Sequence, residues 1–196
     1  MTLLAAVMAA GYSTRFHGDK LIYPICGVPA ILRVIYSLKN AQISDIRVVM
    51  RREEKHITEL MPEYVKLVYN VTADEGMASS LRLAAQEAMG SGKDLLTVLG
   101  DQPLVSPKSI SRLIQEFEKG KSRLVSYSNH ANPVSPVIFS RVYLPDIMKL
   151  RGDVGGKSIL LGNTGDLSLL EFEDPWEAED IDTPEAAEKV KQHLGC

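Results

Sequence analysis

The feature that most constrains the fold of this chain is an alternation of short apolar segments with amphipathic segments along almost its whole length. The apolar segments are four to six residues long and rich in β-branched side chains, as buried strands are. The segments between them carry apolar residues at helical spacing, and two of them begin with a proline after Ser or Thr. Such alternation favours a mostly parallel sheet covered on both faces. We therefore predict one domain, residues 1–196, with three α/β/α layers.

The boundaries of these segments follow from changes of periodicity and from turn residues. Predicted strands lie at residues 3–8, 46–50, 65–70, 95–99, 123–126, 134–139 and 167–172. Predicted helices lie at residues 30–40, 53–61, 77–89, 107–119, 141–150, 157–161 and 184–194. In parallel sheets, ligands bind beyond the carboxyl ends of the strands. Polar residues that follow the strands are therefore the candidates for function.

Charge and hydropathy exclude several classes of partner. The net charge of −3 argues against nucleic acid, which needs a basic surface. No apolar segment approaches the roughly 20 residues that cross a bilayer, and the start lacks the pattern of a secretory signal, so we expect a cytoplasmic protein with no membrane partner. Residues 1–55 carry eight Lys/Arg against four Asp/Glu, which suits an anionic ligand. Residues 158–188 carry ten Asp/Glu and no Lys/Arg, typical of a solvated surface or a cation site.

The two cysteines give no pattern that indicates a disulfide framework or a metal site. Cys26 is predicted to be a packed loop residue. Cys196 is the last residue, and we expect it to be mobile. Neither is a candidate nucleophile.

The loop after the first predicted strand combines small residues with two fixed cations. Residues 8–20 read MAAGYSTRFHGDK, so Arg15 and Lys20 follow Gly11 within nine positions. Small side chains let backbone N–H groups approach anionic oxygens, and Arg and Lys add charge-assisted hydrogen bonds. The loop favours a polyphosphate ligand, with an ordinary polar connection between a strand and a helix as the alternative.

Two carboxylates stand where a divalent cation could be held. Asp101 follows the strand predicted at 95–99, and Asp182 precedes the helix predicted at 184–194. A carboxylate at the carboxyl end of a strand faces the ligand crevice and suits Mg²⁺. Each residue also has a structural alternative: Asp101 as the polar residue of a turn, and Asp182 as the cap of the following helix. The two could share one metal only if the fold brings them together.

Two further segments carry polar groups. Residues 70–81 resemble a loop that enters a helix, where free N–H groups and the hydroxyls of Ser79 and Ser80 could bind a nucleobase or ribose. An ordinary capped helix start is the alternative. Residues 150–158 end in Gly-Lys-Ser, but Arg151 stands where a phosphate-binding loop needs glycine. We interpret that segment as a flexible loop over a site, with Asp153 a candidate supporting or metal group.

Taken together, these segments resemble the molybdenum cofactor cytidylyltransferase group of the MobA-like nucleotidyltransferases. The resemblance runs nearly end to end, through residues 8–24, 75–81, 100–105, 136–139, 150–156 and 180–184. It implies a Rossmann-like nucleotidyltransferase fold and Mg²⁺-dependent transfer of CMP from CTP to the terminal phosphate of molybdopterin cofactor, with release of pyrophosphate. It also implies that a molybdoenzyme or its chaperone receives the product.

The resemblance assigns roles to individual residues. The implied catalytic residues are Arg15, Lys20 and Asp101, and the implied metal ligands are Asp101 and Asp182. The implied nucleotide-binding residues are Ala9, Ala10, Gly11, Arg15, Lys20, Ser79, Ser80 and Gly100. Ala10 and Gln102 favour cytosine, because guanylyl-transferring relatives typically carry glycine at the first position and Met or Thr at the second.

The chain departs from the group at two positions. His17 stands where glycine is usual, and Ser135 stands where His or Asn is expected, in a segment thought to face the acceptor. One alternative is a related enzyme that uses GTP or another phosphorylated acceptor. The other is a non-catalytic protein that binds a nucleotide or cofactor, which the presence of Arg15, Lys20 and Asp101 disfavours.

Overall fold

Strands and helices alternate through the computed structural model, which describes residues 3–13, 15–16, 18–51 and 55–196. The strands are β1 (Leu3–Met8), β2 (Pro24–Ile25), β3 (Val28–Pro29), β4 (Ile46–Met50), β5 (Val65–Tyr69), β6 (Asp94–Leu99), β7 (Leu124–Asn129), β8 (Asn132–Phe139) and β9 (Leu167–Glu171). The α-helices are α1 (Ala30–Asn40), α2 (Lys55–Thr58), α3 (Met77–Gly90), α4 (Pro107–Glu118), α5 (Leu144–Ile147), α6 (Lys157–Gly162) and α7 (Pro184–Leu194).

All seven predicted strands are present, with ends shifted by up to three residues. The helix predicted at 141–150 is divided into a 3₁₀ turn, Arg141–Tyr143, and the short α5. The helix predicted at 53–61 is reduced to α2, and residues 53 and 54 lie outside the described ranges. The two-residue strands β2 and β3 were not predicted, because so short a hairpin shows no alternation. In the described ranges, no helix is long and apolar enough to cross a membrane.

A seven-stranded sheet has the spatial order β5-β4-β1-β6-β8-β7-β9. β1 pairs in parallel with β4 and β6, and β4 pairs in parallel with β5. β8 runs antiparallel to both of its neighbours, β6 and β7, and β9 is parallel to β7. The prediction of a mostly parallel sheet is confirmed.

Alternate residues of β1 enter the two apolar layers of the core. Ala5 and Val7 pack in the cluster that contains α1 and α4, whereas Leu4 and Ala6 pack in the cluster that contains α3, α5 and α6. Because β1 is buried on both faces, its sequence is uniformly apolar rather than alternating. The prediction of helices on both faces of the sheet is confirmed.

Caps fix the starts of α4 and α7 at the predicted prolines. Ser106 Oγ accepts a hydrogen bond from Ser109 N at 3.1 Å, and Thr183 Oγ1 accepts one from Ala186 N at 3.2 Å. Such caps contribute about 1 kcal/mol each. The cap on α7 also fixes where the chain leaves Asp182.

The predictions of a packed Cys26 and a mobile Cys196 are wrong, because Cys26 is exposed and Cys196 is covalently bound. A disulfide joins Cys26 to Cys196, with 5.6 Å between their Cα atoms. The two meet because Ala187 and Val190 of α7 pack on Ile25 of β2, which brings the chain end to the exposed loop between β2 and β3. A pair separated by 170 residues leaves no spacing signal in the sequence.

Candidate active site

The segments after β1 and β6 begin side by side at one edge of the sheet. Met8 is opposite Leu99 in the parallel register, and Gly100 N donates to the Met8 carbonyl at 3.0 Å. A Cβ on Gly100 would lie 3.3 Å from that carbonyl oxygen and 3.2 Å from Leu21 Cδ2. Gly100 therefore lets the two strand ends lie close together, which places the loop containing Gly11 beside Asp101.

A cavity of about 600 Å³ opens at this edge. Its wall has a charged end, where cations and carboxylates contact one another, and is also formed by the loop after β1 and the start of α3. The wall includes nine residues singled out from the sequence: Ala9, Ala10, Gly11, Arg15, Lys20, Ser80, Asp101, Asp153 and Asp182. Ser79 and Gly100, which are also within the described ranges, are not among the residues that line it. A cavity of this size suits a small organic ligand.

The charged end is organised around the ammonium group of Lys20. Lys20 Nζ donates to Asp101 Oδ2, and to Asp182 Oδ1 at 2.6 Å. Arg15 Nη2 donates to Asp182 Oδ2 at 2.7 Å. Ile181 N donates to the Asp101 carbonyl at 3.0 Å, which holds the segment before α7 beside the end of β6. The two carboxylates separated by 81 residues therefore contact one cation.

These ion pairs set the charges of the cluster. Burial opposes the charge on Lys20, but Asp101 and Asp182 outweigh it and raise the pKa of the ammonium. Burial also opposes ionisation of Asp182, but Lys20 and Arg15 outweigh it and lower the pKa of that carboxyl. Lys20 and Asp182 are both charged at neutral pH.

Asp180 is a residue of this cavity that was not singled out from the sequence. Burial, together with the charges of Asp101 and Asp182, raises its pKa to about 7. Asp180 Oδ1 is buried and has no hydrogen-bond partner in the described part of the chain. A signal was present: in an extended segment, residues two apart point to the same side, and buried Ile181 separates Asp180 from Asp182.

Gln102 does not line the cavity. Its side chain is 2% exposed, and Nε2 donates to the Ala178 carbonyl at 3.4 Å. Of the two residues that favoured cytosine in the sequence, Ala10 is the one on the cavity wall.

A buried amide lies between two hydroxyls at the start of α3. Asn70, directly after β5, donates through Nδ2 to Ser79 Oγ and Ser80 Oγ, both at 2.8 Å. Ser79 Oγ donates to the Gly76 carbonyl at 2.8 Å. Ser80 lines the cavity, whereas Ser79 is held within the protein.

The segment 150–156 packs on the start of α3. Met77 N donates to Asp153 Oδ1 at 3.3 Å, and Ala78 N donates to the Gly152 carbonyl at 3.2 Å. Gly76 has a φ of +93°, and a Cβ there would lie 2.6 Å from the Gly152 carbonyl carbon. Glycine is thus required at position 76. Asp153, the candidate supporting or metal group, lines the cavity and accepts a hydrogen bond from the first residue of α3.

Tyr12 connects the loop after β1 to the turn before α3, both of which line the cavity. Its hydroxyl donates to Asp74 Oδ1, across 62 residues of sequence. The Arg51 guanidinium lies 4.0 Å from the centre of the Tyr12 ring. Sequence reasoning missed this contact, because an exposed tyrosine in a loop carries no signal of its partner.

Of the two departures from the family pattern, Ser135 can be placed and His17 lies outside the described residues. Ser135 lines a second, mostly apolar cavity of about 180 Å³, and its Oγ accepts a hydrogen bond from Leu99 N at 3.2 Å. This cavity shares Met8, Met77 and Leu99 with the first, so the two adjoin.

Known proteins are similar to this chain in sequence. The chain is 30% identical over 120 residues to a Thermococcus sibiricus protein named "Probable molybdenum cofactor guanylyltransferase". The alignment covers 61% of this chain and 58% of that protein, so the chain spans about three fifths of that relative's length. Purine catabolism protein PucB of Bacillus subtilis is 26% identical over 202 residues, covering 98% of this chain and 97% of PucB.

A solved structure and a family profile complete the comparison. A nucleotidyl transferase from Methanothermobacter thermautotroptrophicus superposes with a TM-score of 0.85 at 21% identity, over 98% of this chain and 97% of that one. That likeness confirms the predicted Rossmann-like nucleotidyltransferase fold. Residues 5–167 match the MobA-like NTP transferase domain, which confirms at family level the prediction of a nucleotidyltransferase. The chain belongs to the MobA-like NTP transferase family.

Proposed function

We propose that this protein transfers CMP from CTP to the terminal phosphate of molybdopterin cofactor in the cytoplasm, with release of pyrophosphate. The convergence of Arg15, Lys20, Asp101 and Asp182 at one end of the cavity carries the proposal. Cations beside paired carboxylates suit a triphosphate bound with a divalent metal. The name of the Thermococcus relative supports molybdenum cofactor as the acceptor.

The carboxylates fit a divalent cation, which we propose to be Mg²⁺. Oxygens of Asp101 and Asp182 already contact one positive group, the Lys20 ammonium. The buried Asp180 Oδ1, which lacks a partner in the described ranges, is suited to accept a hydrogen bond from a metal-bound water. Asp101 and Asp182 would hold the metal, which would neutralise charge on the phosphates.

Lys20 and Arg15 would bind and align the triphosphate. Both have carboxylate partners in the structure and would exchange them for phosphate oxygens. An oxygen of the acceptor phosphate forms a bond to the α-phosphorus of CTP, while the bond from that phosphorus to the bridging oxygen breaks and pyrophosphate leaves. Because the acceptor phosphate is itself a nucleophile, no protein nucleophile is needed, and catalysis rests on alignment and charge.

We propose CTP as the donor because the Ala10 methyl group lies on the cavity wall, where glycine would leave more room for a purine. GTP is the second candidate. The name of the Thermococcus relative, a guanylyltransferase, favours it.

We propose that the acceptor lies in the second cavity, beside Ser135, because that cavity adjoins the first. We also propose that residues 1–196 act as one domain. Asp182 lies beyond residues 5–167, the part that matches the family, yet it contacts Lys20 within that part.

Pyrophosphate release with each of the four nucleoside triphosphates tests the proposal, with and without molybdopterin cofactor and with Mg²⁺ or a chelator. We expect release only with CTP, acceptor and Mg²⁺ together, and a dinucleotide product by mass spectrometry. A preference for GTP would replace the cytidylyl assignment by a guanylyl one. Tight binding of a nucleotide without turnover under any condition would overturn the enzymatic assignment and favour a binding protein.

A further inference from the structure

We infer that Asn70 is a positioning residue that directs the Ser80 hydroxyl proton into the cavity, where Ser80 donates to a carbonyl oxygen of the nucleobase. The inference rests on the proposed nucleotide site and names the chemical group of the base that is recognised there. It also separates Ser80 from its neighbour Ser79, which the sequence could not do.

The orientation of the Asn70 amide follows from its partners. Its side chain is buried, at 2% exposure, and Oδ1 accepts hydrogen bonds from Thr72 N at 3.0 Å and Thr72 Oγ1 at 3.2 Å. A backbone N–H can only donate, so the amide oxygen must face Thr72. The amide nitrogen must then face Ser79 and Ser80, to which it donates both of its hydrogens. All four hydrogen bonds of this amide are made, and its orientation is fixed.

The two serines accept the same donor but use their own protons differently. The Ser79 proton is used inside the protein, in the hydrogen bond to the Gly76 carbonyl. In the described ranges, Ser80 Oγ donates no hydrogen bond to another protein group, and Ser80 is only 7% exposed. One lone pair of Ser80 Oγ is occupied by Asn70, so the O–H must point away from the amide. Ser80 lines the cavity, and a bound molecule is the acceptor in that direction.

The acceptor that suits this hydroxyl is a carbonyl oxygen of the base. Ser80 lines the cavity from the start of α3, together with Met77 and with Ala73 of the turn before that helix, whereas Arg15 and Lys20 line it from the loop after β1. The base of a nucleotide whose phosphates meet Lys20 would therefore lie here. Cytosine, uracil and guanine have a carbonyl oxygen, and adenine has none. Discrimination against ATP is expected whether CTP or GTP is the natural donor.

Binding of CTP, GTP and ATP in the presence of Mg²⁺, without acceptor, tests the inference by calorimetry. We expect wild-type protein to bind ATP about tenfold more weakly than its preferred nucleotide, the loss typical of one hydrogen bond. Ser80→Ala should remove this difference. Asn70→Asp, which turns both serine protons inward, should weaken binding of the preferred nucleotide by a similar factor. In turnover assays both variants should raise KM more than they lower kcat.

The matched control is Ser79→Ala, because Ser79 is bound to the same amide but does not line the cavity. Its dissociation constant should stay close to that of the wild type. The double variant Asn70→Asp with Ser80→Ala should bind no more weakly than Ser80→Ala alone, since both changes remove the same donor. A parallel thermal melt separates loss of binding from loss of structure.

Additive losses in the double variant, or equal losses in Ser79→Ala and Ser80→Ala, would overturn the inference. Equal affinity of the wild type for ATP and CTP would do the same, and would leave the nucleotide site itself intact. If the wild type binds no nucleotide, the proposed function fails instead. Should Asn70→Asp not fold, the comparison of Ser79→Ala with Ser80→Ala decides the question alone.

Discussion

Two clusters of charged residues lie at opposite edges of the same sheet, and they differ in how completely their groups are paired. The carboxyl-edge cluster consists of Arg15, Lys20, Asp101, Asp180 and Asp182, at the ends of β1 and β6 and before α7. The amino-edge cluster consists of Asp45, Arg47, Glu87 and Lys93, at the starts of β4 and β6 and near the end of α3. Each contains a lysine paired with a largely buried aspartate, Lys20 with Asp101 and Lys93 with Asp45.

Every nitrogen of the guanidinium group is paired in the amino-edge cluster. Arg47 Nε lies 3.3 Å from Asp45 Oδ1, Nη1 lies by Glu87 Oε2, and Nη2 donates to Ser91 Oγ at 3.0 Å. Lys93 Nζ donates to Asp45 Oδ2 at 2.7 Å. Burial opposes ionisation of Asp45, but Lys93 and Arg47 outweigh it and lower the pKa of its carboxyl.

The carboxyl-edge cluster is incompletely paired and borders a cavity. Asp180 Oδ1 has no partner in the described ranges, and the pKa of Asp180 is raised to about 7 by burial and by neighbouring carboxylates. A fully paired cluster is suited to stability, because no group in it is left to bind anything else. A cluster with excess carboxylate and adjoining space is suited to a ligand that brings its own positive charge.

The largest expected effect is on turnover, from matched lysine substitutions. Lys20→Ala should lower pyrophosphate release about 10²–10³-fold, or about 2.7–4 kcal/mol, because it removes a preorganised charge at the phosphates. Lys93→Ala, which removes the lysine paired with Asp45 in the other cluster, should keep a rate close to that of the wild type. Both rates are compared at saturating CTP and Mg²⁺, after confirming that each variant is folded. Near-normal turnover of Lys20→Ala would contradict the roles given to the two clusters.

For the free energy of unfolding, substitutions in the amino-edge cluster should have the larger effect. Asp45→Ala leaves Lys93 without its carboxylate and Arg47 with Glu87 as its remaining carboxylate, and the loss of one partner of a buried pair costs about 3 kcal/mol. Asp101→Ala should cost less, because Lys20 keeps its hydrogen bond to Asp182 and the cavity admits water. Urea unfolding measures both variants. A larger loss in Asp101→Ala than in Asp45→Ala would show that the carboxyl-edge cluster also stabilises the fold.

Between pH 5 and 8, the stability contributed by the carboxyl-edge cluster should depend on pH and that of the amino-edge cluster should not, measured with a chelator present. The pKa of Asp180 is about 7 in the folded chain and near 3.9 when unfolded, so the folded state holds an extra proton between these values. Stability therefore falls as pH rises, and this group should remove about 2–3 kcal/mol between pH 5 and 8. Asp180→Asn should abolish that loss in urea unfolding.

The matched control for Asp180→Asn is Asp45→Asn. The folded pKa of Asp45 is lowered, so its stabilisation is present above its unfolded pKa and is lost only as pH falls through the folded value. Asp45→Asn should therefore lower stability about equally at pH 5 and pH 8 and leave the slope unchanged. An unchanged slope in Asp180→Asn would mean that its carboxyl is ionised across this range.

The sequence predicted the carboxyl-edge cluster better than the amino-edge one, for a physical reason. Gly11, Lys20 and Asp101 follow buried strands, and the ends of parallel strands are where ligands bind. Asp45 and Lys93 precede strands, where charged residues are also common in ordinary turns, so nothing marked them as partners. The resemblance to a family indicated Asp182 but not Asp180, because the burial that makes Asp180 unusual depends on tertiary packing.

The same limit applies to the fold. Periodicity predicted the seven strands of the sheet, because each is an apolar segment long enough to show its period. It did not predict the hairpin of β2 and β3 or the pairing of Cys26 with Cys196, both of which depend on how α7 packs.

The smallest expected effects come from substituting the two arginines, one in each cluster. These substitutions distinguish a residue that binds substrate from one that stabilises the fold. The Arg15 side chain is 71% exposed and that of Arg47 is 10% exposed. An exposed ion pair such as that of Arg15 with Asp182 contributes about 0–1 kcal/mol, so Arg15→Ala should leave the unfolding free energy nearly unchanged. It should still lower kcat/KM about tenfold, mainly through KM, because a charge-assisted contact with phosphate is lost. Arg47→Ala should lower the unfolding free energy and leave kcat/KM nearly unchanged. Arg15→Lys, which keeps the charge, should recover part of the loss, and a full recovery would show that charge alone matters at position 15.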